Sequence, residues 1–206
     1  MVSDYLSTSI EQFQIDCMQL CEQHYPTVHN RGMRENHLGK ALCRRITRTL
    51  EQADIVATVT QCQGNDKVAQ PVFHIHTATF SVWVIAHRLL SANLARRQAL
   101  INTIKDTQTR LTENHPHHIV LVADHWFDRS KASKEIPAWW LGHLPHNAVD
   151  YLSDGIRLQA TETHLPQQLA TLSLSEGYHA IHHPLRRDHG EKIVYKYILL
   201  TSHYAL

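Results

Sequence analysis

Hydrophobic positions recur along this chain with two periods, and the switches between them lay out the elements. Ile10, Phe13, Cys17, Leu20 and Cys21 share one stripe of a helix over 6–24. Tyr25-Pro26 stops it, because the residue before a proline is pushed out of helical backbone. After a loop at 27–32, Leu38, Leu42, Ile46 and Leu50 repeat every four residues, with Ala41 alongside, and predict a helix over 33–52. The period then drops to two. Ile55, Ala57 and Val59 alternate with Val56, Thr58 and Thr60, which predicts a strand over 54–62. Gly64-Asn65-Asp66 is turn chemistry. β-Branched and aromatic residues predict two more strands, over 70–78 and 79–87. The run Val82-Trp83-Val84-Ile85-Ala86 has the unbroken apolar character of a central strand covered on both faces. A long helix follows over 88–113, with Leu90, Leu94, Ile101, Ile104 and Leu111 on its inner stripe and Pro116 beyond its end. Ile119–Ala123 is the centre of a strand over 117–126 that closes on Asp124-His125-Trp126.

The signals thin out after Trp126. Residues 137–144 carry two tryptophans and read as a short helix or a packing loop. A strand is expected around 156–159, a helix over 166–174 with Leu165, Leu169 and Leu172 on one side, and strands over 177–182 and 192–201. His189-Gly190 is the expected turn before the last strand. No repeat, low-complexity tract or linker interrupts the pattern. We read a single domain over 1–206, with an N-terminal helix at 1–30, a core at 31–126 and a C-terminal elaboration at 127–206.

Composition narrows the class of protein more than its activity. At 206 residues, 43% hydrophobic and 19% charged, the chain is of ordinary globular make-up and long enough to bury a core. Its longest apolar runs are too short to span a bilayer. The opening MVSDYLSTSIEQF has neither a basic n-region nor an apolar h-region, so a cytoplasmic location without membrane association is expected. Cys17, Cys21, Cys43 and Cys62 include no CxxC pair, which argues for buried free thiols rather than a zinc ribbon. Seven glycines are sparse, and no phosphate loop or GxSxG appears. A net charge of +1 does not describe a generic polyanion binder. The bases are unevenly placed, however. Arg44, Arg45 and Arg48 on the second helix, with Arg88, Arg96 and Arg97 on the long helix, are candidate phosphate contacts lining a nucleic-acid groove. The alternative is that these are solvated faces whose carboxylate partners lie elsewhere.

The order helix, three strands, long helix, strand over 33–126 resembles the core of the PD-(D/E)XK nuclease superfamily, the restriction-endonuclease-like fold. The likeness covers about half of the chain and is one of element order and length. It implies an α/β fold with a mixed central sheet flanked by helices, here with a C-terminal α+β elaboration. Such nucleases place a Glu on the first core helix, an Asp on the second strand and Glu-X-Lys on the third. Glu35 matches the helix position. The second strand offers His74 and His76 instead of Asp. The third reads Val84-Ile85-Ala86-His87-Arg88, so Ile85 and His87 would stand where Glu and Lys are expected. The family's hydrolysis needs carboxylates around Mg²⁺, and one Glu does not hold that ion. The resemblance therefore implies a catalytically degenerate nuclease-like protein that acts as a nucleic-acid-binding or protein-interaction subunit, in a bacterial defence or mobile-element setting.

Two other readings stand beside it. A divergent metal-dependent hydrolase would use Glu35, His87 and Asp124 for catalysis. His74 and His76, which share one face of a strand, would hold a divalent metal such as Zn²⁺ with help from His87, Asp124 or His125. A pure assembly protein would pair with itself or another protein through Trp126, Phe127, Ile136, Trp139 and Trp140. The chain holds 18 histidines, and their scatter over its whole length argues that most are surface polar residues. Arg110 and His115 reproduce an Arg-X4-His spacing known in helical ribonucleases, but a strand follows at once. Arg186 and Arg187 with His182 and His183 could grip a phosphate, or simply form a polar hairpin turn.

Overall fold

A computed structural model describes residues 2–24, 33–62, 71–89, 94–112, 115–188 and 190–206. The chain is an α/β protein built on a mixed six-stranded sheet. Helices α1 (Val2–His24) and α2 (Glu35–Glu51) precede strands β1 (Thr58–Cys62), β2 (Val72–His76) and β3 (Ser81–Arg88). Helix α3 (Leu94–Gln108) leads into β4 (His117–Trp126). Short helices α4 (Lys131–Lys134) and α5 (Ile136–Leu141), a 3-10 turn at Ala148–Asp154 and helix α6 (Leu165–Ala170) follow. Strand β5 (Gly177–His182), a hairpin of β6 (Arg186–Arg187) and β7 (Lys192–Ile193), and β8 (Tyr197–Ala205) complete the chain. The sheet order is β1-β2-β3-β4-β8-β5. Only β3 and β4 run parallel, joined through α3, and every other neighbouring pair is antiparallel. Among the described residues no helix is long and apolar enough to cross a membrane.

Strand alternation divides the interior into two cores. Phe73, Ile75, Val82, Val84, Ala86, Val120, Val122, Tyr197 and Leu199 pack beneath α1 and α2. Trp83, Ile85, Ile119, Leu121, Ala123, Ile198 and Leu200 pack on the opposite face beneath α3, α5 and α6. Because successive residues of a strand point to opposite faces, two-sided burial is what makes β3 and β4 apolar without interruption. The approach of α2 to the sheet depends on Gly39. A Cβ there would collide with the Phe73 ring and stand 2.9 Å from the Ala86 Cβ. Alanine is the better helix former by about 1 kcal/mol. Even so, Gly39→Ala should destabilise the protein by about 1–3 kcal/mol through overpacking, read as a lower urea midpoint with an unchanged slope.

Several expectations move. The strand expected over 54–62 begins at Thr58. Asp54 takes left-handed backbone at φ 57°, and the Ile55 N–H closes α2 on the Leu50 carbonyl at 2.9 Å. Strand β3 runs on through Arg88, where the long helix was expected to start, and α3 begins at Leu94. On α3, Leu94 is exposed and Arg97 is buried. The guanidinium reaches Glu135 at 3.3 Å and the Ala132 carbonyl at 3.1 Å, and it lies over the Trp139 ring. No strand forms at 156–159. The expected last strand is split into β7 and β8, and β8 extends to Ala205. Cys17, Cys21 and Cys43 are buried free thiols and Cys62 is half-buried. Burial pushes the Cys21 thiol up to about 11 and Cys43 to about 12. The turns expected at 27–32 and 64–66 lie outside the described residues, as does His189.

Candidate functional site

The parallel pair β3 and β4 ends in register at Arg88 and Asp124. Counting in twos from Val82, Val84 and Ala86, and from Val120 and Val122, puts both side chains on the face covered by α1 and α2. That is also where α2 begins. Asp124 is buried. Its Oδ2 accepts the Met33 N–H at 2.7 Å and the Tyr197 hydroxyl at 3.1 Å, while Oδ1 has no partner. Burial pushes this carboxyl up to about 7. The Met33 N–H, the Arg88 charge and the Tyr197 hydroxyl pull the other way, and the Glu35 charge adds to the rise. Burial also holds the Tyr197 phenol well above its usual range. Glu35, in the first turn of α2, is half-buried. The Nε of Arg88 is buried without a hydrogen-bond partner. The group therefore combines one carboxyl that titrates near neutrality, a second carboxylate within electrostatic reach, a guanidinium and a phenol. It can hold or release a proton and attract an anion.

Glu35 and Asp124 thus share a site, and His87 does not join them. Alternation places His87 on the α3 face, fully buried, beside the Arg96 main chain. Ile85 packs on that face too, so the Ile85/His87 alignment points away from Glu35. Arg88 stands at the end of the strand in its place. The sequence marked Arg88 as a phosphate contact at the start of a helix, and only the register of β3 with β4 sets it opposite Asp124. Tyr197 and the Met33 N–H carried no local signal.

His74 and His76 do share a face, with ring centroids 5.8 Å apart. His74 stacks on Trp83 at 4.1 Å. His115 lies 5.3 Å from His76 and 5.6 Å from His117. The other proposed ligands are not brought to them. His87 is at the far end of β3 from Ser81, the partner of His76. Asp124 faces α2, and His125 is tied to the Leu89 carbonyl and Ser133. Among the described residues no three His, Cys, Asp or Glu side chains are arranged to hold a metal ion.

The six arginines separate as well. Helices α2 and α3 cover opposite faces of the sheet, so they cannot line one groove. Arg45 is paired with Asp16 on α1, Nε to Oδ2 at 2.6 Å. Arg97 is buried, Arg96 is half-buried beside His87, and Arg88 belongs to the Asp124 site. Arg44 and Arg48 remain exposed on α2. Arg34, His37 and Lys40 are exposed with them, at spacings of three and four that make one helical stripe. None of the four Lys and Arg residues in that stripe has an ion-pair partner among the described residues. Of the aromatic cluster, Trp139 and Trp140 are fully buried, as is Ile136, so they form core rather than surface. Arg187 is engaged with Asp154 at 3.3 Å. No family model and no curated protein matches the chain.

Proposed function

We propose that this chain is a nuclease-like framework, of the restriction-endonuclease type, that binds nucleic acid without hydrolysing it. The element order supports the framework. A three-strand antiparallel meander follows α2, and α3 then carries the chain to β4, parallel to β3. The site at the end of that pair has two carboxylic groups and a guanidinium. One of the two titrates near neutrality and keeps its proton below that, a poor setting for Mg²⁺.

The observation that carries binding is the stripe of Arg34, just before α2, with His37, Lys40, Arg44 and Arg48 on it, exposed and without an ion pair among the described residues, with the exposed Glu51 at the far end of the helix. Its basic groups span about 21 Å of helix and could follow one phosphate backbone. The stripe holds no Phe, Tyr or Trp for base stacking and no Asn or Gln for base edges. The contact is therefore one of charge. With four Lys and Arg residues engaged, affinity should fall about a hundredfold between about 50 and 200 mM salt, because phosphate contacts release counterions. Fluorescence anisotropy with labelled DNA and RNA checks this. Arg44→Glu/Arg48→Glu should weaken binding at least tenfold and flatten the salt slope. Binding that ignores salt or this variant would overturn the reading.

A hydrolase reading keeps one specific observation in its favour, the titration of Asp124 near neutrality beside Arg88. Strand cleavage in Mg²⁺ or Mn²⁺ that disappears in Asp124→Asn would restore it.

A further inference from the structure

Helix α1 contrasts with its neighbour. From Val2 to His24 it contains Asp4, Glu11, Asp16 and Glu22 and no Lys or Arg. Its exposed positions are Asp4, Thr8, Glu11, Gln12, Ile15, Gln19, Glu22 and Gln23. They repeat at three and four residues and so form a single stripe. Glu11 and Glu22 on that stripe have no ion-pair partner among the described residues. Near its centre stands Ile15, 44% exposed. The outer surface of this layer is thus an acidic ridge beside a basic one, joined by the Asp16–Arg45 pair.

The two helices run antiparallel. Asp16 meets Arg45, while the later Cys21 lies within reach of Asp124, which binds Met33 at the entry to α2. A two-fold axis lying between the ridges and parallel to them would set α1 of each copy over α2 of the other. Acidic would then meet basic twice, with the paired helices again antiparallel. Self-complementarity of this kind is what a two-fold interface requires, and antiparallel dipoles favour it.

We propose that a second copy of this chain docks on the α1/α2 layer, with the α1 stripe of each copy on the α2 stripe of the other. This rests on the reading of α2 as the nucleic-acid surface, and it adds that pairing and nucleic acid compete for the same bases. The interface is charged, with Ile15 as its one large apolar knob. It is of the weak, salt-sensitive class, and opposite charge sets its register and encounter rate. The carboxylates of α1 also fence a bound strand onto α2, since phosphates within about a Debye length of 8–10 Å would be repelled.

Sedimentation velocity on the full chain at about 50 mM and about 500 mM salt tests the proposal. A concentration-dependent dimer is expected at low salt and a monomer at high salt. Glu11→Lys/Glu22→Lys should abolish the dimer and bind nucleic acid at least as tightly as the parent. Mixing that variant with Arg44→Glu/Arg48→Glu should restore a heterodimer, because one of the two ridge contacts regains opposite charges. Added duplex should dissociate the parent dimer. A monomer at low salt, or a dimer indifferent to the α1 substitutions, overturns the pairing. If anisotropy still reports salt-sensitive nucleic-acid binding in that event, the reading of α2 stands alone. Pairing without any nucleic-acid binding leaves the dimer and removes that reading.

Discussion

Acidification should unfold this protein in one cooperative step with a midpoint between pH 4 and 5, driven by buried imidazoles that take up protons. Six imidazoles, those of His87, His118, His125, His179, His182 and His183, are pushed down to about 4, in each case chiefly by burial. His87 and His125 are the deepest. The charged group facing His87 is Arg96, whose charge disfavours the imidazolium, and the Arg96 main chain offsets this in part. Around His125 the Leu89 carbonyl and Asp128 favour the cation and Arg97 opposes it. His118 faces His203 and His117, both of which disfavour a second charge. An imidazole whose folded pKa is depressed contributes stability that is complete above the unfolded value, near 6.5. That stability is lost as pH falls toward the folded value. With a folded pKa of about 4, each fully buried ring removes about 2 kcal/mol by pH 5 and about 3 by pH 4. His87, His118 and His125 together remove about 6 kcal/mol by pH 5 and about 9 by pH 4; protonation of Asp124 returns about 2–3 kcal/mol of this, and the balance stands against a typical net stability of about 5–15 kcal/mol. The half-buried rings add to the loss. Circular dichroism and tryptophan fluorescence between pH 8 and 4 should therefore fall together. His87→Leu should move the midpoint to lower pH. Native signal persisting at pH 4 would show that these rings are solvated or paired as cations.

The sheet was legible because two-sided burial writes itself as unbroken apolar runs and one-sided burial as alternation. Val82–Ala86 and Ile119–Ala123 therefore read as central strands and proved to be neighbours in the sheet. What was not legible depends on partners distant in the chain. Nothing near Arg97 announces that Glu135, 38 residues on, will hold its guanidinium against Trp139. The inner stripe of α3 was therefore phased on Leu94, which is exposed. The end of β3 failed for a related reason. An arginine after an apolar run looks like the start of a polar helix, unless a carboxyl on the next strand is known to lie opposite it. The site divided in the same way. Glu35 was visible as a first-turn carboxylate and Asp124 as an acid at a strand end, whereas Tyr197 could be found only through the pairing of β4 with β8. The arginines were hidden in the same way: the partner of Arg45, Asp16, sits on another helix, 29 residues away.

Asp124→Asn should raise the stability of the protein at pH 8, and by clearly less at pH 5.5, where the parent is still folded. Asparagine has the shape of the protonated acid. Its carbonyl oxygen can accept the Met33 N–H and the Tyr197 hydroxyl as Oδ2 does now, and its amide takes the place of the unpartnered Oδ1. The native carboxyl titrates at about 7, against an ordinary value of 3.8. A group whose folded pKa is raised contributes stability below its unfolded value and loses it as pH climbs through the folded one. Between pH 4 and 7 the unfolded chain gives up this proton and the folded chain keeps it, which removes roughly 3–4 kcal/mol from the native protein. Asparagine has no proton to lose, so the difference read by urea unfolding should grow by roughly 2 kcal/mol between pH 5.5 and pH 8. Equal stability of the two proteins at pH 8 would mean that the carboxyl ionises readily in the folded state, held by Arg88. A variant weaker than the parent at pH 8 but not at pH 5.5 would turn the pair into a stabilising salt bridge, and Asp124 could then no longer serve as the proton-holding group of the site.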